Sequence, residues 1–192
     1  MLEEKIISKS LLEEVGYKTQ QDAEFMKLLV PRNNWKTDPI FSNYPYLSNK
    51  QKGVVGEHFA AKIFEHAGYS VDKPTTTGHD WLIGGVKTEI KFSLAVSKGC
   101  KIIPDKYIIN HVSMDKDWDR LVHFGVNPEN DSLARYRIYW MHRPDFIRYM
   151  KQEKDPLFKH QQGGKKIEND DYICTNHKVF VELPFVHSIE QW

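Results

Sequence analysis

Two cysteines in 192 residues are too few for a disulfide framework, and Cys100 and Cys174 show no metal-ligand spacing. A reducing setting inside the cell, the cytoplasm, is the expectation. Nine histidines are present, but no H-E-x-x-H and no cysteine pair at finger spacing, so zinc chemistry has no frame. "GGKK" lacks the G-x-x-x-x-G-K-[ST] frame of a phosphate-cradling loop, and no G-x-S-x-G elbow marks a serine nucleophile. No apolar run reaches the length of a membrane span, and "MLEEKIISKS" has no signal-peptide anatomy. Charge of one sign is missing too. The formal net charge is +1, so no strong basic field announces a polyanion, although site acids can cancel a basic surface. There is no internal repeat and no low-complexity tract.

What is present is the composition of an ordinary globular chain, 40% hydrophobic and 28% charged, long enough for a core of its own. A single domain over residues 1–192 is expected. The apolar spacing of "EEKIISKSLLEEVGY" and "QQDAEFMKLLV" predicts helices over residues 1–30, stopped by Pro31. Residues 31–50, with three prolines and several aromatics, read as an ordered irregular segment. A helix is predicted from about Gly53 to Ala67, capped by Gly68. "YSVDKPTT" reads as a strand, and "DKYIINHV" (105–112) and "DRLVHFGV" (119–126) as β-rich runs separated by the polar "SMDKDW". "ARYRIYWMH" (134–142) is a further strand, and "RPDFIRYMKQEK" a helix with Pro144 near its first turn. A glycine-lysine loop, "KHQQGGKKIENDD", leads to "YICTNHKVFVELPF", read as a final hairpin. This order indicates an α/β domain: a central mixed β-sheet flanked by helices, with an N-terminal helical extension.

The segment "GHDWLIGGVKTEIKFS", residues 78–93, carries the chemistry. Gly84-Gly85 is a two-residue hairpin signal, because a type I′ turn needs positive φ at both central positions. That loop pairs Ile83 with Val86, Leu82 with Lys87, Trp81 with Thr88 and Asp80 with Glu89. Alternation then puts Asp80, Leu82, Lys87, Glu89 and Lys91 on one face, and Trp81, Ile83, Val86, Thr88, Ile90 and Phe92 on the other, apolar one. Opposed Cβ atoms sit about 4.5–5.5 Å apart, where two like charges destabilise a sheet. A divalent cation relieves the conflict, since converging carboxylates make a hard-oxygen site of the kind Mg²⁺ accepts. Glu57 lies on the preceding helix with Ala60, Ala61 and Phe64 on its face, and an acid facing a core needs a partner. The competing reading is a solvated sheet face for the hairpin acids and a plain salt bridge for Glu57.

"GVVGEHFAAKIFEHAGYSV…TTTGHDWLIGGVKTEIKFS" resembles the core of the PD-(D/E)XK nuclease superfamily. Asp80, Glu89 and Lys91 match its motif, and Glu57 stands where many members carry a helix glutamate. The motif's proline is replaced by His79. "KYIINHV…DKDWDRLVHFGV" resembles the strand and following helix-strand of restriction-enzyme-like members, so the likeness covers about residues 53–126. It implies a restriction-endonuclease-like core over 53–126, framed by the extension of 1–50 and C-terminal strands over 127–192. The activity implied is Mg²⁺-dependent hydrolysis of double-stranded DNA, leaving a 5′-phosphate and a 3′-hydroxyl. In that scheme Asp80, Glu89, the Ile90 carbonyl and Glu57 hold the metal, and Lys91 orients the attacking water or offsets developing charge. Gln161, Gln162, Lys165 and Lys166 form the candidate DNA-contact loop, with an ordinary polar loop as the alternative. Arg135, Arg137 and His111 are lesser candidates, and Lys87 reads as an exposed strand lysine. The expectation is a self-contained type II restriction endonuclease acting as a homodimer on a palindrome. The alternatives are a structure-specific nuclease resembling junction resolvases, and a DNA-binding module with a vestigial site.

Overall fold

The structure is a computed structural model that describes residues 11, 14–15, 47–95, 97–98, 101–102, 105–127, 136–162, 165–166 and 171–192. Leu11, Glu14 and Val15 are helical and Val15 is buried. The rest of the expected helical extension, and most of the irregular segment over 31–50, lie outside the described residues.

Helix α1 spans Asn49–His66, four residues earlier than its apolar periodicity suggests. The reason is a capping box: Ser48 Oγ accepts from Gln51 N at 3.3 Å while Ser48 N donates to Gln51 Oε1 at 3.0 Å. That reciprocal pair satisfies two of the donors a helix start leaves open. The helix stops at Ala67, and Gly68 follows with φ of 83°.

Strand β1 covers Val71–Asp72 alone, not the whole of 69–76. Pro74 brings no N–H to a ladder and biases the residue before it, so pairing ends there. Strands β2 (Trp81–Ile83) and β3 (Val86–Leu94) form the expected hairpin, with Trp81 opposite Thr88, Leu82 opposite Lys87 and Ile83 opposite Val86. Gly84 and Gly85 have φ of 59° and 79°, the left-handed pair that a type I′ turn demands.

After a two-residue pair of strands, β4 (Ser97–Lys98) and β5 (Lys101–Ile102), comes β6 (Ile109–Ser113) and then β7 (Arg120–Val126). No helix lies between β6 and β7 among the described residues, against the helix-strand expected there; the segment 114–119 is a turn. Strand β8 (Tyr136–His142) runs straight into helix α2 (Arg143–Gln152), with Pro144 in its first turn. The loop expected over 160–166 contains a tight pair, β9 (Gln161–Gln162) with β10 (Lys165–Lys166).

The predicted final hairpin does not form. Strand β11 (Asp171–Cys174) pairs antiparallel with β6 instead. Asn176 then accepts from Val179 N through its side chain and starts a one-turn helix, α3 (His177–Phe180). Strand β12 (Val186–Ser188) pairs with β8, and a 3₁₀ turn follows over Ile189–Gln191. A capping asparagine and Pro184 are turn signals inside what reads as one apolar run.

The main sheet has the order β1-β2-β3-β7-β8-β12. It is mixed: β3 and β7 are parallel, and the other pairs are antiparallel. The chain is thus α/β with a mixed central sheet and a few helices. One face, carrying Ile90, Val122, Phe124 and Trp140, packs on Val55, Phe59, Ile63 and Phe64 of α1. The approach is close: a Cβ on Gly56 would stand 2.1 Å from the Phe92 ring. The other face, carrying Leu121, Met141 and Tyr139, is covered by Ile109, Trp118, Phe146, Phe158 and Phe180. Among the described residues no helix is long and apolar enough to cross a membrane.

Candidate active site

The site forms where β2 stops short. Strand β2 ends at Trp81 while β3 continues for six residues beyond Thr88, its partner. Ile90 therefore presents its N–H to an edge with no strand beside it. Asp80 fills the place: its own N–H donates to Thr88 O at 3.0 Å, and its Oδ2 accepts from Ile90 N at 2.7 Å. The N–H and C=O of one strand residue point to the same edge, so the Ile90 carbonyl faces this side too.

Glu89 and Lys91 rise from the face of β3 covered by the second core. Glu89 is 1% exposed, which removes the reading of a solvated sheet face. Its Oε1 accepts from Lys91 Nζ at 2.6 Å and from Lys116 Nζ at 2.7 Å. Its Oε2 is buried without a hydrogen-bond partner. The repulsion expected between opposed acids is thus met by a backbone N–H on Asp80 and two ammonium groups on Glu89.

Glu57 reaches the same place from α1, which lies on the opposite face. Burial pushes its carboxyl up to about 7, Asp80 and Glu89 push it the same way, and Lys91 and Lys116 oppose them. Asp80 is also raised, first by burial and then by Glu89, against the Ile90 N–H and the two lysines. Glu57, Asp80, Glu89 and Lys91, named from the sequence, therefore form one electrostatic cluster. Among the described residues, no three His, Cys, Asp or Glu side chains stand in an arrangement that would hold a metal ion without rearrangement. The cause is local, since the oxygens facing inward are engaged with N–H and ammonium donors.

Lys116 is the residue that sequence reasoning missed. It sits in "SMDKDW", which reads as a polar spacer. Parallel pairing sets Thr88 beside Arg120, so the turn before β7 lies next to the start of β3. That turn is tied down on several sides. Lys87 Nζ donates to Asp117 Oδ2 at 2.7 Å, Asp119 N donates to Lys87 O at 2.8 Å, and Arg143 Nη2 donates to Met114 O at 2.6 Å. Trp118 is buried and donates from Nε1 to Ser113 O at 2.9 Å. Gly78 allows the approach, because a Cβ there would meet Asp117 Cβ at 2.8 Å. Lys87, read as an exposed strand lysine, is the tether on the hairpin side. His79, in place of the family's proline, is buried with no hydrogen-bond partner on either ring nitrogen.

Other candidates fall away from this cluster. Arg137 Nε pairs with Asp105 Oδ1 at 2.9 Å, and Arg135 and Cys100 lie outside the described residues. His111 is exposed on β6 with φ of 55°. Cys174 is buried and its thiol is pushed up to about 11 by burial, the behaviour of a core group. The backbone of Gln161, Gln162, Lys165 and Lys166 is described, and their side chains lie outside the described residues. A scan against protein-family models and a search of curated proteins both give no match.

Proposed function

We propose that the chain is a Mg²⁺-dependent endonuclease on double-stranded DNA, of the restriction-endonuclease-like PD-(D/E)XK class, and most specifically a sequence-specific type II enzyme. One observation carries the reading: Glu57, Asp80, Glu89 and Lys91 interact as a single charge cluster although they arrive from a helix and two strands. The helix, the acid-bearing hairpin and the parallel strand beside it lend support at the level of architecture.

The donor set suits Mg²⁺. Glu89 Oε2 is a buried oxygen with no partner, and Glu57 and Asp80 raise one another's affinity for positive charge. Asp80, Glu89, the Ile90 carbonyl and Glu57 would hold the ion. Bound there, it supplies Lewis acidity toward a phosphate oxygen and a more acidic water. The chain's own part is to aim these oxygens from rigid strands and keep Glu89 out of bulk water. Lys91 adds a fixed ammonium beside the reacting phosphate, where transition-state charge is met without reorganisation. A dimer of this unit would match a two-fold DNA site. Gln161, Gln162, Lys165 and Lys166 stay the proposed DNA-contact residues.

A second reading has one observation in its favour. Both lysines on Glu89 Oε1 also suit a DNA-binding module whose acids have become a structural ion cluster. A junction-resolving nuclease on the same core is the remaining rival. One assay separates them: purified protein with long duplex DNA or branched DNA, in Mg²⁺ or in chelator. Discrete bands from duplex only in Mg²⁺ support the type II enzyme. Selective cutting at branches makes it a resolvase, and binding without cleavage leaves the module.

A further inference from the structure

Glu89 holds two ammonium groups, and the motif requires only one. The two differ in situation. Lys91 stands on an interior strand with a side chain 15% exposed, whereas the Lys116 side chain is 39% exposed, yet both reach Oε1 within 2.7 Å. The backbone that carries Lys116 is pinned by Trp118, Arg143, Lys87 and Asp119. What is left free to swing is the lysine's own stem, a flexible chain with a compact charge at its end.

We propose that Lys116 is an exchangeable counter-ion: it neutralises Glu89 until a divalent cation takes that carboxylate, and its ammonium then engages a phosphate of the bound DNA. The inference rests on the nuclease reading of the same residues and assigns this chain a second lysine in that site. The charge argument is direct. A divalent cation and two ammonium groups crowded on one carboxylate repel one another, and the repulsion is strong where water is scarce. The partner with access to water leaves at least cost, and that partner is Lys116. A displaced ammonium on a pinned turn stays within a stem's length of Glu89. There it meets whatever polyanion the cation has drawn in, as a point charge suited to phosphate.

The test compares wild type, Lys116→Met and Lys116→Arg by calorimetric titration with Mg²⁺ alone and, separately, by single-turnover cleavage of duplex DNA. Without the competing ammonium, Lys116→Met should bind Mg²⁺ about fivefold tighter, the scale of one partly exposed ion pair. Its cleavage should fall about a hundredfold, the scale of a lost transition-state contact. Lys116→Arg should bind Mg²⁺ no tighter than wild type and recover part of the cleavage. A mere brace would give the opposite sign, since its loss loosens the site and weakens Mg²⁺ binding. Unchanged or weaker Mg²⁺ binding by Lys116→Met, or tighter binding by Lys116→Arg, overturns the exchange even if wild type cuts DNA. Unimpaired cleavage by Lys116→Met overturns the phosphate role. If no protein cuts DNA but Lys116→Met still binds Mg²⁺ tighter, the exchange stands and the nuclease reading fails.

Discussion

Lys91 and Lys116 share one carboxylate oxygen, so losing either leaves Glu89 with a counter-charge. The Lys91→Ala variant is therefore expected to fold and to shift duplex DNA in a gel while its cleavage disappears. Full turnover by that variant would take Lys91 out of the mechanism. Asp80 behaves differently, because its charge is opposed by burial and by Glu89. Asp80→Asn keeps an oxygen for the Ile90 N–H and removes the disfavoured charge. It should raise stability in urea by roughly 1 kcal/mol at neutral pH while abolishing cleavage, as expected where a site is held at a cost to the fold. A destabilised Asn variant would mean that Asp80 is a structural acid. Asp80, Glu89 and Lys91 were legible in the sequence because a glycine pair fixes their register. Lys116 was not, since only a parallel pairing that no local pattern encodes brings its turn to Glu89.

At the scale of elements, legibility followed how local the cause was. The β2–β3 hairpin was placed residue for residue, as its register follows from two glycines. Helix α1 was recognised by its apolar face but begun late, because its start depends on Ser48 and Gln51 rather than on hydrophobic spacing. The C-terminal run was misread, since β11 takes its partner from β6, some sixty residues earlier in the chain. Gly56 gives a test of how α1 is seated. A methyl group there would press into Phe92, the neighbour of Lys91, so Gly56→Ala should cost about 1–3 kcal/mol by overpacking. Urea denaturation checks it, and an unchanged midpoint would mean that the helix does not lie this close to β3.

On the scale of the whole molecule, the sheet separates two cores, and the one beneath the acid face hides histidines. His123 is fully buried, with Nε2 3.1 Å from Ser93 Oγ, and packs on His177 at 4.9 Å between ring centroids. Burial pushes His177 down to about 4 and His123 well below the usual histidine range. Both are neutral in the fold but take up protons on unfolding below about 6.5. Their contribution is whole above that pH and is lost as pH falls toward 4. The urea midpoint should therefore drop over this window, and His177→Phe should flatten the drop; an equal slope in both proteins would mean that His177 is charged in the native state. The short β2 has a consequence of its own. Two more residues of regular ladder would zip the bare rim of β3 and give a sturdier sheet with nowhere for a carboxylate to stand. Completeness of the scaffold and possession of chemistry thus exclude each other at this one rung, and any descendant of this chain that repairs the first forfeits the second.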